Sequence, residues 1–532
     1  MTLENKKQIV KEFETLKQEA LLVLSSKPEY VPEWIINNKQ LCSDKDVIMS
    51  GIHNLSGNMM HFASDEIKSD REVVMVAVAK SGWILQYVNE VFLSDKEVVL
   101  VAASNYGRVL ESVSDKYGSD PEVVMKAVQN NGTAIEFANE DLRRDRKIVL
   151  NAVKESGAAL EYASEELRSD KEIVIVAVSN DGISLQYASD TLRGDKKVVQ
   201  SAVKSTGFAL EYADDKLYGD REIILGAVRN YGRALEYASE ELRSDKEIVK
   251  AAIKNDGIAL EYASDNLRAD REIVKAAVKN DGVALEYASD NLRTDREIVM
   301  YALKTKGFAL EYASEELRSD KEIVLQAVKY HGIALEYASD TLRADKDVVL
   351  AAIKFWGSAL KYASDELRAD KEVVLAAVGS SDTIVDICAD GEIHMDRLSL
   401  GGSTALEYAS DELRADRDVV MKAVTDFGYQ IRYASSSLRA DKEIIMAALN
   451  AKYYYSDWES ETLKFASDEL RADNDVVLAA IREWASALKY ASYELQNDKD
   501  FILQAIQVNS HIYHYLSELL IKDKDILKFI LE

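Results

Sequence analysis

Proline is almost missing from this chain, with three among 532 residues. A sequence so poor in the residue that breaks helices can stay helical over long stretches. Cysteine is scarcer still: Cys42 and Cys388 stand far apart. Two distant thiols exclude a disulfide scaffold and fit a reducing compartment. Histidine occurs only at 53, 61, 331, 394, 511 and 514, and none stands in a nucleophile or metal constellation. There is no P-loop, no GxSxG and no HExxH. No apolar run approaches the roughly twenty residues that cross a bilayer. The opening MTLENKKQIVKEFETLKQEA lacks the apolar centre of a signal peptide. Positive charge is in deficit: 66 Lys and Arg against 93 Asp and Glu leave a net −27. Such a field repels nucleic-acid phosphates and anionic membranes, and it suits basic partners or plain solubility. The expectation is a soluble cytoplasmic or intracellular protein without a cofactor, not an enzyme. Delivery into a host cell by a specialised system would leave no mark here.

What the chain has in abundance is one pattern. Glycines recur every 25 residues from Gly57 to Gly357, and aspartates keep the same step from Asp70 to Asp370. A representative unit is ADREIVKAAVKNDGVALEYASDNLR, residues 269–293. The aspartate opens a helix, because its carboxylate accepts from the free N–H groups of the first turn. Pro121 directly follows Asp120, the one place where proline suits a helix start. Counting from Asp270, Ile273, Val274, Ala277 and Val278 make one apolar face. The alanine at Ala277 recurs in all thirteen regular units, from Ala77 to Ala377, which implies close approach of a neighbouring helix. The glycine is expected to end the helix in the left-handed conformation. A shorter second helix, GVALEYASDNL, is apolar on several sides and so must lie between neighbours. Ser289 and Asp290 would cap its brief final turn.

These features predict an all-α fold: an α-solenoid of about nineteen 25-residue two-helix repeats with terminal caps and two insertions. Residues 1–42 form an N-terminal helical cap, and 43–378 the regular repeats. Residues 379–402 form an insertion with a possible β-hairpin around Asp390-Gly391. Residues 403–506 carry further repeats with an aromatic insertion near 450–462, and 507–532 form a C-terminal cap. The string ALKYASDELRADKEVVLAAV at 359–378 resembles the repeat family catalogued as domain of unknown function 4116, over roughly residues 43–527. That family's unit corresponds to about two of these steps. The resemblance implies a helical repeat fold and carries no catalytic residues to transfer. Its association with protists, large viruses and host-associated bacteria implies a host-interaction role.

Three departures from the repeat are candidate sites. The residues flanking the glycine vary most, and aromatic or arginine side chains there would make a recognition edge: Tyr106, Arg108, Tyr231, Arg233, His331, Phe355 and Trp356. Tyr454 and Trp458 of the second insertion join them. Unconstrained loop variation is the competing reading. A second feature is an acidic ladder four residues after each glycine, including Glu211, Glu236, Glu261, Glu286, Glu311 and Glu336. It reverses sign at Lys361, Arg432, Lys464 and Lys489. The row would line a groove for a basic segment, unless each glutamate pairs with an arginine such as Arg268 or Arg293, worth at most about 1 kcal/mol. The third is the first insertion, where Asp386, Asp390, Glu392 and His394 are weak metal candidates. Their spacing matches neither an EF-hand nor a zinc signature, so a docking protrusion fits better. The function read from the sequence is a protein-binding scaffold with a basic or extended partner, recognised through a curved face or the glycine-flanking edge. The alternatives are a structural or self-assembling spacer and a metal-dependent effector enzyme using residues 382–396. Neither nucleic acid nor membrane insertion is expected, and a small-molecule ligand is disfavoured. Oligomeric state stays open.

Overall fold

A computed structural model describes residues 3–26, 35, 38–54, 57–329, 331–380, 386–387, 393–394, 404–451, 459–516, 520 and 526. Two compact units, residues 1–255 and 256–532, carry the same repeating step. The aspartate starts each helix for the expected reason. The Asp170 carboxylate accepts from the backbone N–H groups of Glu172 and Ile173, opening the helix Lys171–Asn180. Asp120 does the same for Glu122 and Val123, and Pro121 occupies the first helical position behind it. The buried side chains of Lys171–Asn180 are Ile173, Val174, Ala177 and Val178, the expected face.

The expected second helix is instead two pieces. In the step after Ser156, Gly157–Tyr162 is a 3-10 helix that stops at Ala163, whose ψ of 155° is extended. Ser164 then accepts from the N–H of Leu167 and opens a single α-turn, Glu165–Arg168. Ser164 has the extended backbone of a capping residue. Ser289, expected to cap the equivalent turn, takes the same conformation without a side-chain cap bond. The extended Ala-Ser pair, and not the serine's hydrogen bond, marks the break.

The glycine also departs from expectation. The helix Lys171–Asn180 closes on Asp181, with φ −142° and ψ 108°, and the repeat glycines from Gly82 to Gly207 and from Gly257 to Gly332 have no left-handed φ. Crowding selects glycine here. A Cβ on Gly132 would lie 2.2 Å from the carbonyl oxygen of Ala152 in the next repeat, and one on Gly107 would lie 2.3 Å from that of Ala127. The glycine thus lies directly against the backbone of the strictly kept alanine one repeat on. An asparagine clamps it. The Gly82 N–H donates to Asn105 Oδ1 at 2.6 Å, and Asn105 Nδ2 donates to the Val78 carbonyl at 2.8 Å. That carbonyl is among those a helix end leaves unsatisfied. Gly232 and Asn255 repeat the arrangement, with Asn255 reaching the Arg229 carbonyl.

A second seam joins the helix starts. Where a Lys or Arg follows a capping aspartate, it reaches into the next repeat, to its capping aspartate and, at most steps, the acid two residues on. Lys45 Nζ lies 2.8 Å from Asp70 and 2.6 Å from Glu72, and Lys346 lies 2.9 Å from Asp370 and 2.7 Å from Glu372. The seam passes over both insertions: Lys371 meets Asp416 at 2.8 Å, and Lys442 meets Asp473 at 2.8 Å. At the start of the array, the helix Leu3–Ser26 supplies the missing cation, with Lys17 Nζ 2.9 Å from Asp44 and 2.6 Å from Asp46. In the first insertion, Asp386–Ile387 pairs antiparallel with Ile393–His394, Asp386 opposite His394. Among the described residues, no helix is long and apolar enough to cross a membrane.

Candidate partner-binding site: the glutamate–tyrosine ladder

The 3-10 segment ends in Glu-Tyr, and its tight winding fixes where both side chains go. The glutamate is exposed and the tyrosine half-buried. At several steps the tyrosine hydroxyl turns back to the glutamate of the preceding step and donates to it: Tyr187 to Glu161, Tyr312 to Glu286, Tyr337 to Glu311, Tyr362 to Glu336. Beyond the second insertion, where Lys464 holds the ladder position, Tyr490 Oη donates instead to Glu461 at 2.9 Å, which Lys464 also meets at 3.3 Å. One ladder glutamate, Glu111, pairs with an arginine, Arg108 at 3.1 Å, but the arginines expected to serve the later steps do not. Arg268 pairs with Asp265 in its own short turn, and Arg293 with Asp290 at 2.6 Å. Among the described residues, Glu286, Glu311 and Glu336 form no ion pair, so the ladder keeps its negative charge.

The tyrosines register that charge. Burial, and then the charges of Glu286 and Glu311, push the Tyr312 hydroxyl up to about 12. Burial, with the hydrogen bond to Glu336 next, does the same for Tyr362. Tyr237 is pushed up to about 12 by burial and then by Glu211 and Glu236. Short clefts run beside the ladder. One is lined by Glu165, Arg168, Gln186, Tyr187, Asp190 and Arg193, another by Asp340, Arg343, Lys361, Tyr362 and Asp365.

The sign reversal has a packing cause. The cations in ladder positions lie over the aromatic row: Lys361 Nζ is 5.4 Å from the Tyr362 ring, and Lys489 Nζ 4.8 Å from that of Tyr490. Arg432 lies 5.3 Å from Tyr433 and 5.4 Å from Phe465. Ring faces attract cations, so either sign can occupy this row.

The glycine-flanking residues are not gathered into one site. Arg108 pairs with Glu111 at 3.1 Å and lies 5.7 Å from the Phe137 ring. Tyr231 meets Phe208 edge-on at 5.8 Å. His331 Nδ1 accepts from the Gly307 N–H at 3.2 Å, and its ring meets Phe308 edge-on at 6.1 Å. Lys354 sits 5.2 Å from the Phe355 ring. Trp356 and Arg233 are half-buried, while Tyr106 is 37% exposed. Most of this edge packs against its neighbours. Asp390, Glu392, Tyr454, Trp458 and the side chains of Asp386 and His394 lie outside the described residues. No group of three or more metal-ligating side chains occurs among the described ones. Sequence reasoning missed the asparagine clamp, although Asn105, Asn130, Asn180, Asn230, Asn255 and Asn280 keep the 25-residue step.

This construction, with one helix, one 3-10 segment and one turn per step, defines an all-α repeat protein of the solenoid class. The chain belongs to the family described as Domain of unknown function (DUF4116). The matches fall at residues 44–93, 70–118, 95–143, 120–168, 145–193, 170–218, 220–268, 270–318, 295–343, 345–384, 390–439, 416–471, 441–496, 473–521 and 498–532. Most windows span two steps, as the repeat length implies. No curated protein matches the chain.

Proposed function

We propose that this chain is a protein-binding scaffold whose glutamate–tyrosine ladder grips a basic, extended segment of a partner protein. One observation carries the reading: Glu286, Glu311 and Glu336 are exposed carboxylates at successive steps, held by tyrosine hydroxyls and balanced by no cation among the described residues. A neutral donor fixes the position of a carboxylate without cancelling its charge. Packed helices stand about 8–10 Å apart, and an extended chain advances about 3.3 Å per residue. A cation at every third partner residue would therefore keep step with the ladder. The segments 1–42 and 507–532 close the ends of the array in this reading, and the encounter takes place inside a cell, native or host.

The test is fluorescence anisotropy with a labelled (Lys-Ser-Ser)6 peptide and a control that holds the same lysines in one block. The periodic peptide binds more tightly. The variant Glu286→Gln/Glu311→Gln/Glu336→Gln keeps the acceptors for tyrosine and removes the charge. It binds about tenfold more weakly, since each exposed ion contact contributes up to about 1 kcal/mol. Equal affinity for the variant, or no saturable binding by either peptide, overturns the proposal.

A further inference from the structure

Gly226 is a glycine with no packing reason to be one. It lies inside the helix Arg221–Asn230, at the position that other steps fill with Val76, Asn151, Val176, Ala251 or Tyr301. Glycine there weakens a helix relative to alanine. A Cβ would meet only Val203 Cγ2, at 3.6 Å, so crowding does not select it as it selects the repeat glycines. What the missing side chain leaves is space. A cleft of about 750 Å³ opens at Gly226, lined by the helices Lys196–Ser205 and Arg221–Asn230, within residues 1–255. Lys204 and Arg229, one from each helix, line it and are exposed. Neither forms an ion pair among the described residues. Asparagines of the same cleft hold their backbones: Asn230 Nδ2 donates to the Lys204 carbonyl at 3.1 Å, and Asn255 Nδ2 to that of Arg229 at 3.2 Å. Gln200, half-buried in the lining, makes no side-chain hydrogen bond among the described residues. The one carboxylate of the lining, Glu222, is held by Lys196 at 3.2 Å.

We propose that this cleft binds a phosphate monoester, independently of the glutamate ladder. A cation at a helix end suits the helix dipole, but Ala79, Ser104, Gln129 and Ser179 stand at the equivalent positions, so the fold does not require one. Two unpaired cations at one cleft select an anion. Neighbouring helices stand about 8–10 Å apart, and two long side chains can close on one group from both sides. A phosphate monoester carries roughly −1.5 to −2 at neutral pH and three acceptor oxygens, enough for both cations at once. A carboxylate would satisfy only one of them. Arg229 offers the planar fork that matches two phosphate oxygens, and Lys204 a mobile point charge. Gln200 adds a neutral donor. The space at Gly226 admits the group that carries the phosphate. A phosphorylated side chain of a partner protein and a free phosphorylated small molecule present the same chemistry here.

The test is isothermal titration calorimetry on the full chain at constant ionic strength. The probes are glycerol 3-phosphate and a Gly-Ser-Gly-Ser-Gly peptide phosphorylated on its second serine. The controls are the same peptide without phosphate and with glutamate in place of the phosphoserine. At least one phosphate ester binds with one site per chain, at least tenfold more tightly than either control. The tighter of the two names the source: the phosphopeptide a phosphorylated partner, glycerol 3-phosphate a free small molecule. Lys204→Gln/Arg229→Gln, at exposed sites, weakens that binding at least tenfold. Gly226→Val puts the side chain of Val176 into the cleft and does the same, with circular dichroism reporting its fold. Lys154→Gln removes the equivalent cation of another step and leaves the affinity unchanged. No saturable binding of either ester overturns the proposal, as does binding of a control with equal affinity. So does an affinity unchanged in Lys204→Gln/Arg229→Gln, or an equal loss in Lys154→Gln.

Discussion

Adding one methyl group to Gly132 tests the central packing claim. A Cβ there would lie 2.2 Å from the carbonyl oxygen of Ala152 and 2.9 Å from the backbone N of Ser156. That is more than roughly 1 Å short of ordinary van der Waals contact. Both obstructing atoms are backbone, so no side chain can rotate away and the repeats must separate locally. Overpacking typically costs about 1–3 kcal/mol, and Gly132→Ala is expected near the upper end, about 3 kcal/mol. A left-handed glycine would behave differently: asparagine would be tolerated. Gly132→Asn is therefore expected to be at least as damaging as Gly132→Ala. Gly226 supplies the control. It lies inside the helix Arg221–Asn230, and its added Cβ would meet only Val203 Cγ2, at 3.6 Å. Gly226→Ala should stabilise by about 0.5–1 kcal/mol through helix propensity. Urea denaturation followed by far-UV circular dichroism measures all three. If Gly132→Ala falls within about 0.5 kcal/mol of the natural protein, or Gly132→Asn is accepted, the crowding argument is wrong.

Asn130→Ala removes the acceptor that stands 2.7 Å from the Gly107 N–H; it should cost about 1–2 kcal/mol and speed hydrogen exchange at Gly107, and unchanged exchange would refute the clamp. The capping aspartates give an acid limit. The ammonium of Lys45 beside Asp70, and the guanidinium of Arg71 beside Asp95, hold these carboxyls below their ordinary range. Their folded values lie below the unfolded ones, so this stability is present above about pH 4 and lost as pH falls through the depressed values. Asp170→Ala, which removes a cap, should lower stability by about 1–2 kcal/mol at neutral pH, with a smaller difference in acid. The tyrosines give an alkaline limit of opposite origin. Tyr312 and Tyr362 are pushed up to about 12. Their folded values lie above the unfolded one, so this stability is complete below about pH 10 and lost as pH rises towards 12. Absorbance at 295 nm should show a late-titrating tyrosine population in the folded protein, and ordinary titration of every tyrosine would refute the ladder.

The helix starts were legible because their causes are local. A carboxylate, two N–H groups and a proline at the permitted position all lie within four residues. The buried face of Lys171–Asn180 was legible for the same reason. What the sequence hid were contacts whose partner stands a full step away. Gly132 looks like a helix end when read alone, and only the neighbouring Ala152 carbonyl shows why no Cβ is allowed. The glutamates at 286 and 311 suggested pairing with the nearest arginines, but Arg293 is held by Asp290 three residues before it. The tyrosine that meets Glu286 is 26 residues on, at Tyr312. A one-residue offset from the period is enough to conceal a ladder from pattern reading.

Both insertions enter at the same joint, between the end of the α-helix and the ladder segment: one follows the helix Lys371–Val378, the other Lys442–Leu449. The salt bridges Lys371–Asp416 and Lys442–Asp473 close over them. The flanking repeats are thus fastened side to side by contacts that do not depend on the peptide linking them. Covalent continuity is expected to be dispensable at this joint. New chain termini, or a foreign loop, placed between Ser380 and Thr404 should leave the array assembled. The same joint offers a place to graft a second binding element onto the scaffold.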